Sequence, residues 1–100
     1  MRLLITGGSG FIGSHLIAKY KENSEIINID IATPKVNSHQ ALWKKYDVKD
    51  FNRLNKLFCE FKPTHVLHLA AKANLVGNSV SDYPDNTIGS SNVIECIKQN

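Results

Sequence analysis

The chain has 100 residues, 42% hydrophobic and 21% charged, with a formal net charge of +3. This is one small domain or part of a larger one, since single domains most often run to about 100–150 residues, and the composition excludes disordered and collagen-like classes. No apolar run approaches the roughly 20 residues of a membrane helix. The basic balance does not mark a nucleic-acid partner either, because the twelve Lys and Arg are dispersed and only Lys44 and Lys45 are adjacent.

In chain order, Leu3 to Thr6 reads as a short apolar strand. Ile12, Leu16, Ile17 and Tyr20 then fall on one helical stripe, ending near Glu22. Glu25 to Asp30 is a second strand. Residues 31 to 41 form a polar connection broken by Pro34, with room for one helical turn, before a brief third strand at Trp43 to Tyr46. Asp47 to Asp50 supplies turn and cap chemistry for a helix whose inner face is Phe51, Leu54, Leu57, Phe58 and Phe61, stopped by Lys62 and Pro63. Thr64 to Ala71 is a fourth strand, apolar enough to be covered on both faces. A last helix from about Pro84 turns Val93, Ile94 and Ile97 inward. The order β-α-β-β-α-β-α predicts an α/β fold, a Rossmann-type doubly wound parallel sheet with strand order 3-2-1-4.

The amino terminus enters a glycine turn too early for a secretory signal, so a cytoplasmic location is expected. Cys59 and Cys96 are too few and too far apart for a disulfide framework or zinc site, and read as reduced helix residues.

Gly7, Gly10 and Gly13 lie three residues apart between the first strand and its helix. A pyrophosphate can approach exposed N–H groups at a helix amino terminus only where no Cβ intervenes. In that geometry Gly7 turns the chain, Gly10 admits the phosphates and Gly13 lets the helix pack on the sheet. The same spacing also serves a tight strand-to-helix turn with no ligand. Asp30 ends the second strand, where a carboxylate accepts hydrogen bonds from an adenine ribose diol and repels a 2′-phosphate, favouring NAD over NADP. A strand-end turn is the other use of such a carboxylate. His68 reads as a hydrogen-bonded core histidine.

TGGSGFIGSHL, the pairs Ile29–Asp30 and Asp47–Val48, HLAA at His68 to Ala71 and NTIG at Asn86 to Gly89 together resemble the amino-terminal part of the extended short-chain dehydrogenase/reductase family. These are NAD-dependent sugar-nucleotide epimerases and dehydratases, with UDP-glucose 4-epimerase-like enzymes among them. The resemblance implies that Phe11 and Ile12 offer backbone donors to the pyrophosphate, and that Asp47 reaches the adenine amino group with Val48 beside the ring. Asp47 is equally placed to cap the helix beginning near Asp50. Ala70, Ala71 and Lys72 would border the inner phosphate and ribose, Lys72 otherwise being a surface lysine. Asn86 would shape the cofactor pocket or act as a capping amide, and Asn78 and Ser79 lie where substrate meets cofactor.

The family's chemistry uses a tyrosine with a lysine four residues later. Tyr20, Tyr46 and Tyr83 are followed at that spacing by Ser24, Asp50 and Thr87. The chain is therefore expected to be a partial NAD-binding domain, inactive alone, that meets a nucleotide sugar only in a full-length parent. Self-association through the open fourth-strand edge is also expected. A non-enzymatic dinucleotide-binding or sensor module, and a structural protein without ligand, are the alternatives from other classes.

Overall fold

The computed structural model describes residues 1–70 and 84–100, with side chains in the latter stretch from Ile88 onward. Four strands form one parallel sheet: β1 (Arg2–Thr6), β2 (Glu25–Ile29), β3 (Trp43–Lys44) and β4 (His65–His68), in the order β3-β2-β1-β4. Helix α1 (Phe11–Tyr20) follows β1, a 3-10 segment (Asn37–Leu42) precedes β3, α2 (Phe51–Phe61) leads into β4, and α3 (Pro84–Gln99) closes the described chain. The predicted topology is the observed one.

Side chains alternate across a strand, so β1 serves two cores at once. Leu3 and Ile5 pack with Ile17 of α1 and Ile26 of β2. Leu4 points the other way, into a cluster with Ile29, Leu54, Leu57, Phe58, Val93 and Cys96 supplied by β2, α2 and α3. Every inner-face residue predicted for α2 is buried except Phe51, which is half-buried. Asp50 caps this helix, its Oδ1 accepting the Arg53 N–H at 3.3 Å. At the other end Lys62 takes a left-handed conformation with φ of 52°. The Arg2 guanidinium donates from Nε to the Phe61 carbonyl at 2.7 Å and lies over the Phe61 ring, binding the start of β1 to the end of α2.

Three packing expectations need correction. Ile12 is exposed: the buried positions of α1 are Ile17, which packs on the sheet, and Gly13, which packs on the loop at Gly8. Ile94 and Ile97 are about half exposed, while Val93 and Cys96 carry the buried stripe of α3; a spacing of three keeps these two on one helical face. Strand β4 has packing on each face, Val66 against the α2–α3 cluster and Leu67 against the α1 cluster, but the cover is partial: His65 is exposed and Val66 to His68 are half-buried, and among the described residues β4 pairs with β1 alone.

Candidate functional site

The carboxyl ends of β1, β2 and β4 converge on the turn between β1 and α1. Gly7 has φ of 71°, and a Cβ there would lie 2.6 Å from the Ala70 nitrogen, so glycine is needed both for the turn and for the approach of the segment after β4. A Cβ on Gly13 would meet Gly8 Cα at 2.4 Å. Gly13 therefore lets α1 seat on the loop itself rather than directly on the sheet. At Gly10 the nearest atom to such a Cβ, among the described residues, would be the Gly7 carbonyl oxygen at 3.6 Å, an ordinary contact distance that leaves room on that side of the loop.

Buried or constrained backbone N–H groups need partners, so the loop can be followed amide by amide. Gly7 donates to the Ile29 carbonyl at 2.9 Å, Gly8 to Asn28 Oδ1 at 2.8 Å, Ser9 to Asp30 Oδ2 at 3.0 Å, and Gly10 to the Gly7 carbonyl at 3.3 Å. Ser14 begins the helical pattern by donating to the Gly10 carbonyl at 2.9 Å. Among the described residues this leaves the N–H groups of Phe11, Ile12 and Gly13 without a protein acceptor, and no side chain caps α1. Three donors at the positive end of a helix dipole, beside a glycine with room around it, form an anion cradle. The side chains of Phe11 and Ile12 themselves are exposed.

Asp30 performs the strand-end turn and more. Its Oδ1 accepts the Ala32 N–H at 3.0 Å while Oδ2 holds Ser9. Its backbone is fixed in turn, since the Asp30 carbonyl accepts Trp43 Nε1 at 2.9 Å and its N–H donates to the Lys44 carbonyl at 3.2 Å. Each carboxylate oxygen retains acceptor capacity, and the residue is only half-buried.

Asp30, Asp47, Val48 and Ala70 meet around one small cleft, whose wall is completed by Ile29, Ile31 and Tyr46. Asp47 does not cap α2, a task that falls to Asp50. Its Oδ1 accepts the Lys49 N–H at 2.9 Å and shapes the turn into the helix. Val48 is buried in the core, where a Cβ on Gly89 would meet it at 2.6 Å. Asn92 Nδ2 holds this segment to α3 by donating to the carbonyls of Val48 at 3.0 Å and Lys49 at 3.1 Å. Ala71, Lys72, Asn78 and Ser79, and the side chain of Asn86, lie outside the described residues.

His68 has a partner on each ring nitrogen. Thr6 Oγ1 accepts from the N–H groups of Leu69 at 3.0 Å and Ala70 at 3.1 Å, so its own hydrogen is left for His68 Nδ1 at 2.6 Å. That assignment makes His68 the neutral Nε2–H tautomer, donating to Ser90 Oγ at 3.0 Å. Burial pushes its pKa below the ordinary histidine value, which favours the same neutral form. The chain of contacts joins α3, β4 and β1 and holds Ala70 against Gly7.

Gly8, Asn28, Thr6 and Asn92 were not singled out from the sequence. The signals were present for two of them: Gly8 is the second glycine of an adjacent pair, and Asn28 is an amide inside the apolar run EIINI. Nothing in spacing pointed to Thr6 or Asn92, whose partners lie more than forty residues away in the chain.

Residues 3–100 match the NAD dependent epimerase/dehydratase family. The chain is 34% identical to the dTDP-glucose 4,6-dehydratase of Haemophilus influenzae over 98% of its own length and 33% of that protein's. The fold is similar to that of Thermus thermophilus UDP-glucose 4-epimerase, solved in complex with NAD, with a TM-score of 0.83, 33% identity, and coverage of 99% of this chain and 34% of that one. It is also similar to the Bordetella bronchiseptica enzyme WbmG in complex with NAD, with a TM-score of 0.85, 36% identity, and coverage of 99% and 34%. The chain thus spans about a third of the length of these relatives.

Proposed function

Because the chain belongs to the NAD dependent epimerase/dehydratase family, we propose that it is the leading, NAD-binding portion of a nucleotide-sugar epimerase or dehydratase. One observation carries this reading: the amides of Gly7, Gly8 and Ser9 are taken up by Ile29, Asn28 and Asp30 and that of Gly10 by Gly7, so that among the described residues those of Phe11, Ile12 and Gly13 remain without an acceptor, beside Gly10. A pyrophosphate answers that set of donors. In this reading the ribose diol donates to Asp30, and the adenine lies against the mouth of the small cleft beside Asp47 and Val48. Ala70, Ala71 and Lys72 border the inner phosphate and ribose, and Asn86 shapes the pocket. NAD, once bound, supplies the hydride acceptor, while the residues of this chain bind it, orient it and exclude water.

The tyrosine and lysine pair of the resembled family does not occur at its spacing in these 100 residues. Residues 1–100 are accordingly proposed to be a partial domain that binds cofactor without turning over a sugar nucleotide, the sugar being met in a full-length parent. A cytoplasmic setting is part of the same reading; among the described residues no helix is long and apolar enough to cross a membrane. So is self-association across the open side of β4, where a cavity of about 720 Å³ is lined by Phe58, Cys59, Val66 and Ile97 among others.

Calorimetry with NAD tests the reading, together with a turnover assay on UDP-glucose and dTDP-glucose in material free of host enzymes. Saturable NAD binding without turnover is expected. Absence of NAD binding to folded protein refutes it, and turnover above background refutes the assignment of catalysis elsewhere.

A further inference from the structure

Strand β2 holds a side chain that neither the glycine pattern nor the acidic strand end accounts for. Asn28 is fully buried, in a strand whose other central residues are isoleucine. Its strand position places it on the same face as Ile26, which packs toward α1 and therefore lies beneath the glycine loop. A buried amide is retained at low cost only where both its ends are hydrogen-bonded.

Both ends of Asn28 meet the loop. The Gly8 N–H can only donate, so the atom facing it at 2.8 Å is Oδ1. Nδ2 then faces Ser9 Oγ, to which it donates at 3.2 Å. The flip of the amide is thereby fixed by chemistry rather than by convention. A Cβ on Gly8 would lie 2.5 Å from Asn28 Oδ1, so the loop rests directly on this side chain. Two positions along, Asp30 takes the next amide, that of Ser9. Side chains two apart on a strand thus clamp consecutive peptide groups of the loop, and the free donors begin only after them.

We propose that Asn28 is a positioning residue for the cofactor phosphates: it holds Gly8 and Ser9 so that the N–H groups of Phe11, Ile12 and Gly13 converge on one anion. It touches no ligand itself. The loop cannot draw back toward β2, because the Asn28 amide fills the space, and it cannot lift, because both amide ends are engaged. With a side chain that bonds at neither end, the Gly8 N–H is left buried without an acceptor. The loop then gains by tilting to reach water, which spreads the three outward donors. This inference rests on the reading of the loop as a dinucleotide site.

The test compares NAD with adenosine, which has the base and ribose but no phosphate, by titration of the folded wild type, Asn28→Val and Ser9→Ala, following backbone amide NMR signals. Asn28→Val is expected to weaken NAD at least tenfold while adenosine stays within about twofold. Ser9→Ala, which removes only the acceptor of Nδ2, is expected to give a smaller loss of NAD affinity, again with adenosine unchanged. A purely structural role would move both ligands together or neither, and either pattern overturns the proposal. If Asn28→Val does not fold, Ser9→Ala decides, and unchanged NAD affinity in that variant overturns it. Failure of the wild type to bind NAD would instead refute the dinucleotide reading, an outcome distinct from any behaviour of the variants.

Discussion

Gly13 and Gly8 touch backbone to backbone: a Cβ on Gly13 would stand 2.4 Å from Gly8 Cα, closer than real Cβ atoms come. The first turn of α1 thus lies on the loop that precedes it, and the two glycines share one contact.

The glycines separate by function as a result. Gly13→Ala should force α1 and the loop apart and destabilise the fold by about 1–3 kcal/mol, the usual range for overpacking. Gly10→Val meets no close contact among the described residues and should leave the thermal midpoint and helical circular dichroism nearly unchanged, while NAD affinity falls sharply because the branched side chain stands where the phosphates would lie. Thermal denaturation and NAD titration of both variants check this. A stable Gly13→Ala protein with full affinity would contradict the packing account.

Asp30 should govern the choice between NAD and NADP. A carboxylate accepting the ribose diol favours NAD, and Asp30→Ala should narrow the gap by about 1.5–3 kcal/mol, the worth of a charge-assisted hydrogen bond. The same variant frees the Ser9 N–H, so some absolute affinity for both cofactors should be lost with it. Equal affinity of the wild-type protein for the two cofactors, measured by calorimetry, would sink the assignment.

Stability should fall on mild acidification. His68 is held below the ordinary histidine pKa by burial, and His39 by burial with Lys21 adding to it. With the folded pKa depressed, the unfolded chain takes up protons first as pH drops below about 6.5. Stability is therefore complete above that value, declines beneath it, and levels off once the folded state also protonates. Urea midpoints at pH 7.5 and 5.5 should show the drop, and His68→Gln should reduce it. An identical pH slope in that variant would show that His68 contributes nothing.

Ile97 should control self-association. It is 49% exposed and lines the cavity beside β4, so Ile97→Glu costs the fold little while placing a charge in the proposed interface. Sedimentation at micromolar concentration should show association of the wild type and its loss in the variant. A wild-type monomer at high concentration would dispose of the interface.

The sequence by itself determined the architecture and marked the candidate site, because both readings depend on local chemistry. Period-two and period-3.6 apolar patterns fixed four strands and three helices in order, and the glycines, with Asp30, marked where β1 and β2 deliver their ends. A glycine turn or a strand-end carboxylate is marked by its immediate neighbours in the sequence, even where its partner, as Ala70 for Gly7 or Ser9 for Asp30, is distant. The contacts that finish the site join residues far apart in the chain, and there periodicity carries no information. Asp47 was equally suited to capping α2, and only the folded backbone gave that task to Asp50. Ile94 and Ile97 were apolar enough to face inward, but the packing of α3 on α2 selected Val93 and Cys96 instead. Likewise Asn28 became a loop clamp, and Thr6 the acceptor for Leu69 and Ala70, only when the sheet brought them into hydrogen-bond range. A hydrogen bond is satisfied by distance in space, and the tertiary structure alone sets that distance.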